Sequence, residues 1–181
     1  MHGLSATLLL AALLLAGPQV DARVTGKQKR EILALHNEAR RRVRPRASNM
    51  QDLTWDESLA RKAQAWADRC TMGHNPVTAI SGRWDWVGEN IAYSTHGSIS
   101  QMVAGWEGEK AVYDYSSNKC NPVPSDPMKA SCGHYTQLVW ADTTKVGCAF
   151  KKGCPGFFKD RLICNYGPGG NWIGEKPYKS G

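Results

Sequence analysis

Four polar side chains interrupt apolar or tightly turned stretches of the sequence, and all are of types that do chemistry. His74 comes shortly after Cys70, Glu89 breaks the run WVGENIAY, Glu109 lies one helical turn beyond Trp106, and His134 opens GHYTQLVW. Neutral imidazole nitrogen and carboxylate oxygen are both good ligands for zinc or another first-row divalent cation. The same groups can also act as acid–base couples, or satisfy one another in a cleft. Scattered from residue 74 to residue 134 they form no spacing motif, so the residues alone leave all three readings open. His134 poses the question locally. Read as a strand, GHYTQLVW sets it on one face with Thr136, Leu138 and Trp140, where a histidine is most often a hydrogen-bonded core residue.

The familiar catalytic signatures are missing from the sequence. It contains no H-E-x-x-H, no G-x-S-x-G, no G-x-x-x-x-G-K-[ST] and no G-x-G-x-x-G. Its six cysteines, Cys70, Cys120, Cys132, Cys148, Cys154 and Cys164, show no C-x-x-C or zinc-ribbon spacing. An even count in a secreted chain argues for three disulfides and against a thiol nucleophile.

The elements that must position these residues change character along the chain. A first helix is expected over 27–43, opened by a Thr25/Gln28 capping box, with Ile32, Leu35, Ala39 and Val43 on its apolar stripe and Pro45 ending it. A second starts from a Thr54/Glu57 box and buries Leu59, Ala63, Trp66 and Cys70. A third runs from Ser98 to about Tyr115, with Met102, Trp106, Glu109 and Tyr113 in one stripe. The period then drops to two, and HYTQLVW, KVGCAF and RLICNY read as three strands of an antiparallel meander. Helices followed by strands indicate an α+β domain with helices covering a sheet. Residues 116–132 form a long Pro-rich loop bounded by cysteines.

LLLAALLLA, Leu8 to Ala16, is too short to span a bilayer and fits the apolar region of a signal peptide covering 1–22, which leaves a single mature domain over 23–181 and an extracellular protein. No N-x-[ST] site for N-glycosylation occurs. The formal net charge is +7, concentrated in KQKR, Lys27 to Arg30, and in ARRRVRPR. Arg40, Arg41, Arg42, Arg44 and Arg46 could hold an anionic glycan or an extracellular protein, or simply be a solvated helix end. Nucleic acid is not an expected partner outside the cell.

GHYTQLVW together with CNYGPGGNW, Cys164 to Trp172, resembles the paired signatures of the superfamily of cysteine-rich secretory proteins, antigen 5 and pathogenesis-related 1 proteins. LALHNEARRRV, LTWDESLARKAQAWADRC, GENIAY and GWEGE extend the resemblance from about Lys27 to Pro177. It implies a disulfide-stabilised three-layer α-β-α sandwich with a central antiparallel sheet. It also implies a cleft lined by His74, Glu89, Glu109 and His134, and disulfides Cys70–Cys154, Cys148–Cys164 and Cys120–Cys132. No cysteine follows Cys164. The second cysteine-rich module of channel-acting members is therefore not expected, and channel block with it.

The function implied first is that of a secreted binding protein for a small apolar ligand, a sterol or fatty acid, with a cleft able to take zinc or another divalent cation that is not obligatory. The two histidines would ligate and the two glutamates would orient them. Tyr113 and Tyr115, in the loop after the third helix, are the ligand-loop candidates, set against ordinary helix-end packing. Protease inhibition or a defence role through the surface is the alternative. A serine-type endopeptidase comes last, using His134, Glu89 and the hydroxyl of Ser131 or Thr136, with nothing to single out either. On balance the sequence points away from an enzyme.

Overall fold

The computed structural model describes residues 23–123, 125 and 131–181. The expected signal peptide and most of the Pro-rich part of the 116–132 loop lie outside the described residues. Helix α1, Gly26–Arg41, opens with the Thr25/Gln28 capping box. It buries Ile32, His36, Ala39 and Arg40, while Leu35 of the expected stripe is half-buried. Helix α2, Glu57–Ala67, is capped by Asp56, whose carboxylate accepts the Ser58 and Leu59 amides at 2.8 and 3.1 Å. The expected Thr54 cap is displaced because Thr54 belongs to strand β1, Thr54–Trp55, paired to a distant strand. Helix α3, Ile99–Gly108, starts from a Ser98/Gln101 capping box and tightens into a 3-10 turn, Glu109–Val112. It therefore stops short of the expected end near Tyr115. Tyr113–Asp114 (β3) instead pairs with Lys119–Cys120 (β4).

The main sheet contains β2, Gly88–Ser94, β5, Lys145–Lys151, and β6, Asp160–Gly167, in the order β1-β5-β6-β2. The β5–β6–β2 part is antiparallel as expected, and the edge pair β1–β5 is parallel, so the sheet as a whole is mixed. The expected third strand, HYTQLVW, is a short helix, α4, Gly133–Leu138. The place beside β5 that the meander assigned to HYTQLVW is taken by β1, and β2, which the sequence pattern did not mark as a strand, lies on the far side of β6.

All eight residues of β6 are buried, as a strand covered on both faces requires. On one face Leu162, Cys164 and Tyr166 join the main core with Ile32, Trp106, Leu138 and Val139. On the other, Ile163 and Ala149 pack against Ala63 and Ala67 of α2. Glycine lets α2 come this close. A Cβ on Gly147 would lie 2.2 Å from the Ala60 amide nitrogen and 2.4 Å from the Asp56 carbonyl oxygen. The three disulfides are Cys70–Cys154, Cys120–Cys132 and Cys148–Cys164. The last links facing residues of β5 and β6. No helix among the described residues is long and apolar enough to cross a membrane.

Candidate functional site

Helix α4 has no side-chain cap of its own, and two distant residues supply what it lacks. At its N-terminus Glu109 Oε2 accepts the amides of His134 and Tyr135 at 2.9 and 3.1 Å, setting an anion where the exposed N–H groups and the dipole favour one. At its C-terminal end the guanidinium of Arg40 donates to the carbonyls of Leu138 and Trp140 at 3.2 and 2.8 Å, and to that of Thr143 at 3.0 Å. Arg40 is fully buried, so it does not belong to the basic surface patch expected of it. Burial lowers its pKa to about 10. Of the remaining patch, Arg41 pairs with Asp52 and Arg42 with Glu38, while Arg44 and Arg46 are exposed.

The same Glu109 holds the ring of His134, with Nδ1 2.6 Å from Oε1. Glu89 repeats the arrangement on β2, where Oε1 lies 2.9 Å from His74 Nδ1 and accepts the Asn75 amide at 2.9 Å. The four predicted site residues are thus brought together as two His–Glu pairs, His74–Glu89 and His134–Glu109. The His134–Glu89 couple of the endopeptidase reading is not formed. Nor is Thr136 set up as a nucleophile, since its hydroxyl is held by acceptors, Asn171 Oδ1 at 2.8 Å and the Cys132 and Gly133 carbonyls at 3.1 and 3.2 Å. Ser131 Oγ accepts the Gly133 amide.

The pairs line two cavities that share β2 and α4 as walls. One, of about 220 Å³, holds His74, Glu89, Lys62, Trp86, Gln137 and Asn165. The other, of about 390 Å³, runs between β2 and α3 and has Ile91, Ala92, Met102 and Trp106 as apolar walls, with Glu109 and His134 on its polar side. Trp106 stacks on His134 with centroids 6.2 Å apart. The hydrogen bond that His74 donates to Glu89 raises the pKa of the ring above its ordinary value, against the effect of burial.

In both pairs the carboxylate engages Nδ1. This fixes the tautomer, with the proton on Nδ1 and the lone pair on Nε2 open to accept or to ligate, the usual arrangement behind a ligating histidine. Glu89 Oε2 is buried without a partner. Among the described residues no three His, Cys, Asp or Glu side chains converge as a preformed cage. A cation at either ring would have to be held by imidazole Nε2 and water, with the carboxylate behind the ring.

Tyr113 and Tyr115 are engaged in packing. Tyr113 donates to Asn118 at 2.7 Å and lies against Tyr135, and Tyr115 stacks on Tyr178 at 4.6 Å. The sequence reading overlooked a buried chain beneath α4. His36 Nδ1 donates to the Ile32 carbonyl at 2.8 Å, its Nε2 accepts from the Tyr166 hydroxyl at 2.9 Å, and Asn90 donates to Tyr166 and to the His134 carbonyl. The available signal was spacing, because His36 lies one turn after Ile32 on the stripe that includes Ala39.

The cysteine-rich secretory protein (CAP) family model matches residues 33–166. GLIPR1-like protein 1 of Mus musculus is 38% identical over 174 residues, covering 91% of this chain and 69% of that protein. Peptidase inhibitor 15-A of Danio rerio is 41% identical over 163 residues, covering 83% and 60%. The chain spans 34% of the length of a human relative, cysteine-rich secretory protein LCCL domain-containing 2, at 38% identity over 90% of this chain. Among solved structures, Schistosoma mansoni venom allergen-like protein 4 superposes with a TM-score of 0.70 at 28% identity, covering 84% and 94% of the two chains. The crystal structure of NaASP2 with Zn2+ also gives 0.70, at 25% identity, covering 89% and 90%.

Proposed function

The chain belongs to the cysteine-rich secretory protein family, and from that premise we propose that it is an extracellular binding protein for a small apolar ligand of the sterol or fatty-acid class, with histidines able to hold a divalent cation. The observation that carries this reading is the cavity between β2 and α3, with apolar walls and a His134–Glu109 pair on one side. Its volume lies in the range of small-molecule sites. With Nδ1–H directed at Glu109, Nε2 of His134 accepts a hydrogen bond from a ligand hydroxyl. The carboxylate behind it disfavours an anionic head group, so a sterol alcohol suits the site better than a fatty-acid carboxylate. A divalent cation, which would supply a Lewis-acidic centre when bound, would use the Nε2 lone pairs of His74 and His134. Support for that part is the tautomer set by each glutamate, together with the Zn2+ in the crystal structure of the relative NaASP2.

Cation and hydroxyl compete for one lone pair, which gives the test. A fluorescent sterol is titrated into metal-free protein, then zinc is added. Saturable binding, displaced by zinc and weakened about tenfold in His134→Ala, is the expected result, since one hydrogen bond of about 1.4 kcal/mol corresponds to that factor. No saturable sterol binding sinks the lipid reading. Zinc affinity unchanged in the His74→Ala/His134→Ala double variant sinks the metal assignment. The relatives named as peptidase inhibitors make inhibition the second reading. A trypsin progress curve slowed by equimolar protein would favour it.

A further inference from the structure

We propose that the loop joining β5 to β6, which carries Phe157 and Phe158 between Lys152 and Lys159, is an anchor that docks this protein on an anionic lipid surface. Phe157 is 76% exposed and Phe158 37%, with ring centroids 5.1 Å apart in an edge-on arrangement. Two adjacent aromatic rings left in water contribute little to the core, so their exposure points outward to a partner.

The loop holds its shape. Cys154, 1% exposed, fastens it to Cys70, and the Cys154 amide donates to the Lys159 carbonyl at 2.8 Å across the turn. Phe158 leans on Tyr93 at 6.0 Å, and the guanidinium of Arg161 lies 5.5 Å over that same tyrosine. Rings held in this way lose little freedom when they insert. Met72, two residues from the bridged Cys70, adds a further side chain that is 58% exposed.

Charge identifies the occupant. Residues 151–160 contain Lys151, Lys152 and Lys159 and a single acid, Asp160, which is buried and accepts the Gly97 amide. Lys151 pairs with Asp68, and Lys152 lies 4.0 Å from the buried Asp160 and over the Phe150 ring. Lys152 and Lys159 are both exposed, and Lys159 directly follows Phe158. An apolar tip with basic shoulders is the division of an interfacial anchor: rings in the acyl boundary, ammonium groups among anionic head groups. The net charge of +7 favours approach to the same surface.

The test is co-sedimentation of the whole secreted chain with vesicles of phosphatidylcholine and phosphatidylserine at about two to one, against pure phosphatidylcholine, with and without added salt. The expected result is binding to the mixed vesicles only, weakened about tenfold in Phe157→Ser, largely restored in Phe157→Leu, and weakened about fivefold for each of Lys152→Glu and Lys159→Glu. Phe157 is exposed enough that its variants should fold, which circular dichroism would check. Arg42→Glu/Arg46→Glu should bind as wild type. Three outcomes overturn the proposal: no binding to mixed vesicles; binding indifferent to Phe157→Ser; or binding lost in the Arg42/Arg46 variant and displaced by heparin fragments, which would assign the attraction to the other basic surface and to glycans.

Discussion

His36 shows how far burial alone can move a residue's chemistry. It is fully buried, donates to the Ile32 carbonyl and accepts from Tyr166, and desolvation lowers its pKa to about 4, with nearby Arg40 adding to the effect. The unfolded chain takes up this proton near pH 6.5, whereas the folded chain does not until about pH 4. The unfolded state therefore binds more protons in that window, and stability must fall as the pH drops through it, by up to about 3 kcal/mol from this residue. His74 has the opposite sign. Its pKa is raised chiefly by Glu89, so its contribution is present below the unfolded value and is lost as pH rises through the folded one. Urea unfolding of His36→Gln beside the wild type at a series of pH values reads the His36 effect. Between pH 6.5 and 5 the wild type should lose more stability than the variant, and parallel curves would refute the assignment.

Helix α4 is the element where sequence pattern and structure part. The caps of α1 and α3 were legible because Thr25 and Gln28, and Ser98 and Gln101, lie three residues apart. Thr54 and Glu57 spelled the same box, but Thr54 was claimed by pairing with Lys145, a partner no local pattern reveals. GHYTQLVW alternates like a strand, yet Glu109, 25 residues before His134, and Arg40, 98 residues before Leu138, satisfy the ends of a six-residue helix too short to stand alone. The four site residues stood out as polar breaks in apolar or turned stretches, and the family resemblance assigned them to one cleft. Their sorting into His74–Glu89 and His134–Glu109 depends on contacts across the fold and was not written in their spacing. Glu109→Gln keeps an acceptor for the helix amides but loses the charge at the helix N-terminus and forces His134 Nδ1 to accept instead of donate, so it should cost about 1–2 kcal/mol. Hydrogen exchange should speed up selectively at the Gly133–Leu138 amides; uniform protection would refute the capping role.

Across the whole molecule, the covalent links differ in how much chain they restrain. Cys70–Cys154 joins residues 84 apart in sequence, against 12 for Cys120–Cys132 and 16 for Cys148–Cys164. Loop entropy makes the first worth about 4.5 kcal/mol and the second about 3 kcal/mol. Paired Cys→Ser variants should therefore lose most stability at Cys70/Cys154 and least at Cys120/Cys132, as read by denaturant midpoints; the reverse order would mean that packing outweighs chain restraint. The two glutamates divide in a different way. Glu109 has both oxygens committed, one to a ring and one to a helix, whereas Glu89 keeps a buried oxygen with no partner. Selection for secretion alone would suffice to retain an acid at position 109, so finding glutamate there in another member says little about what that member carries. At position 89, architecture uses only half of the carboxylate, and the identity of that residue is the more informative record of what the cleft does.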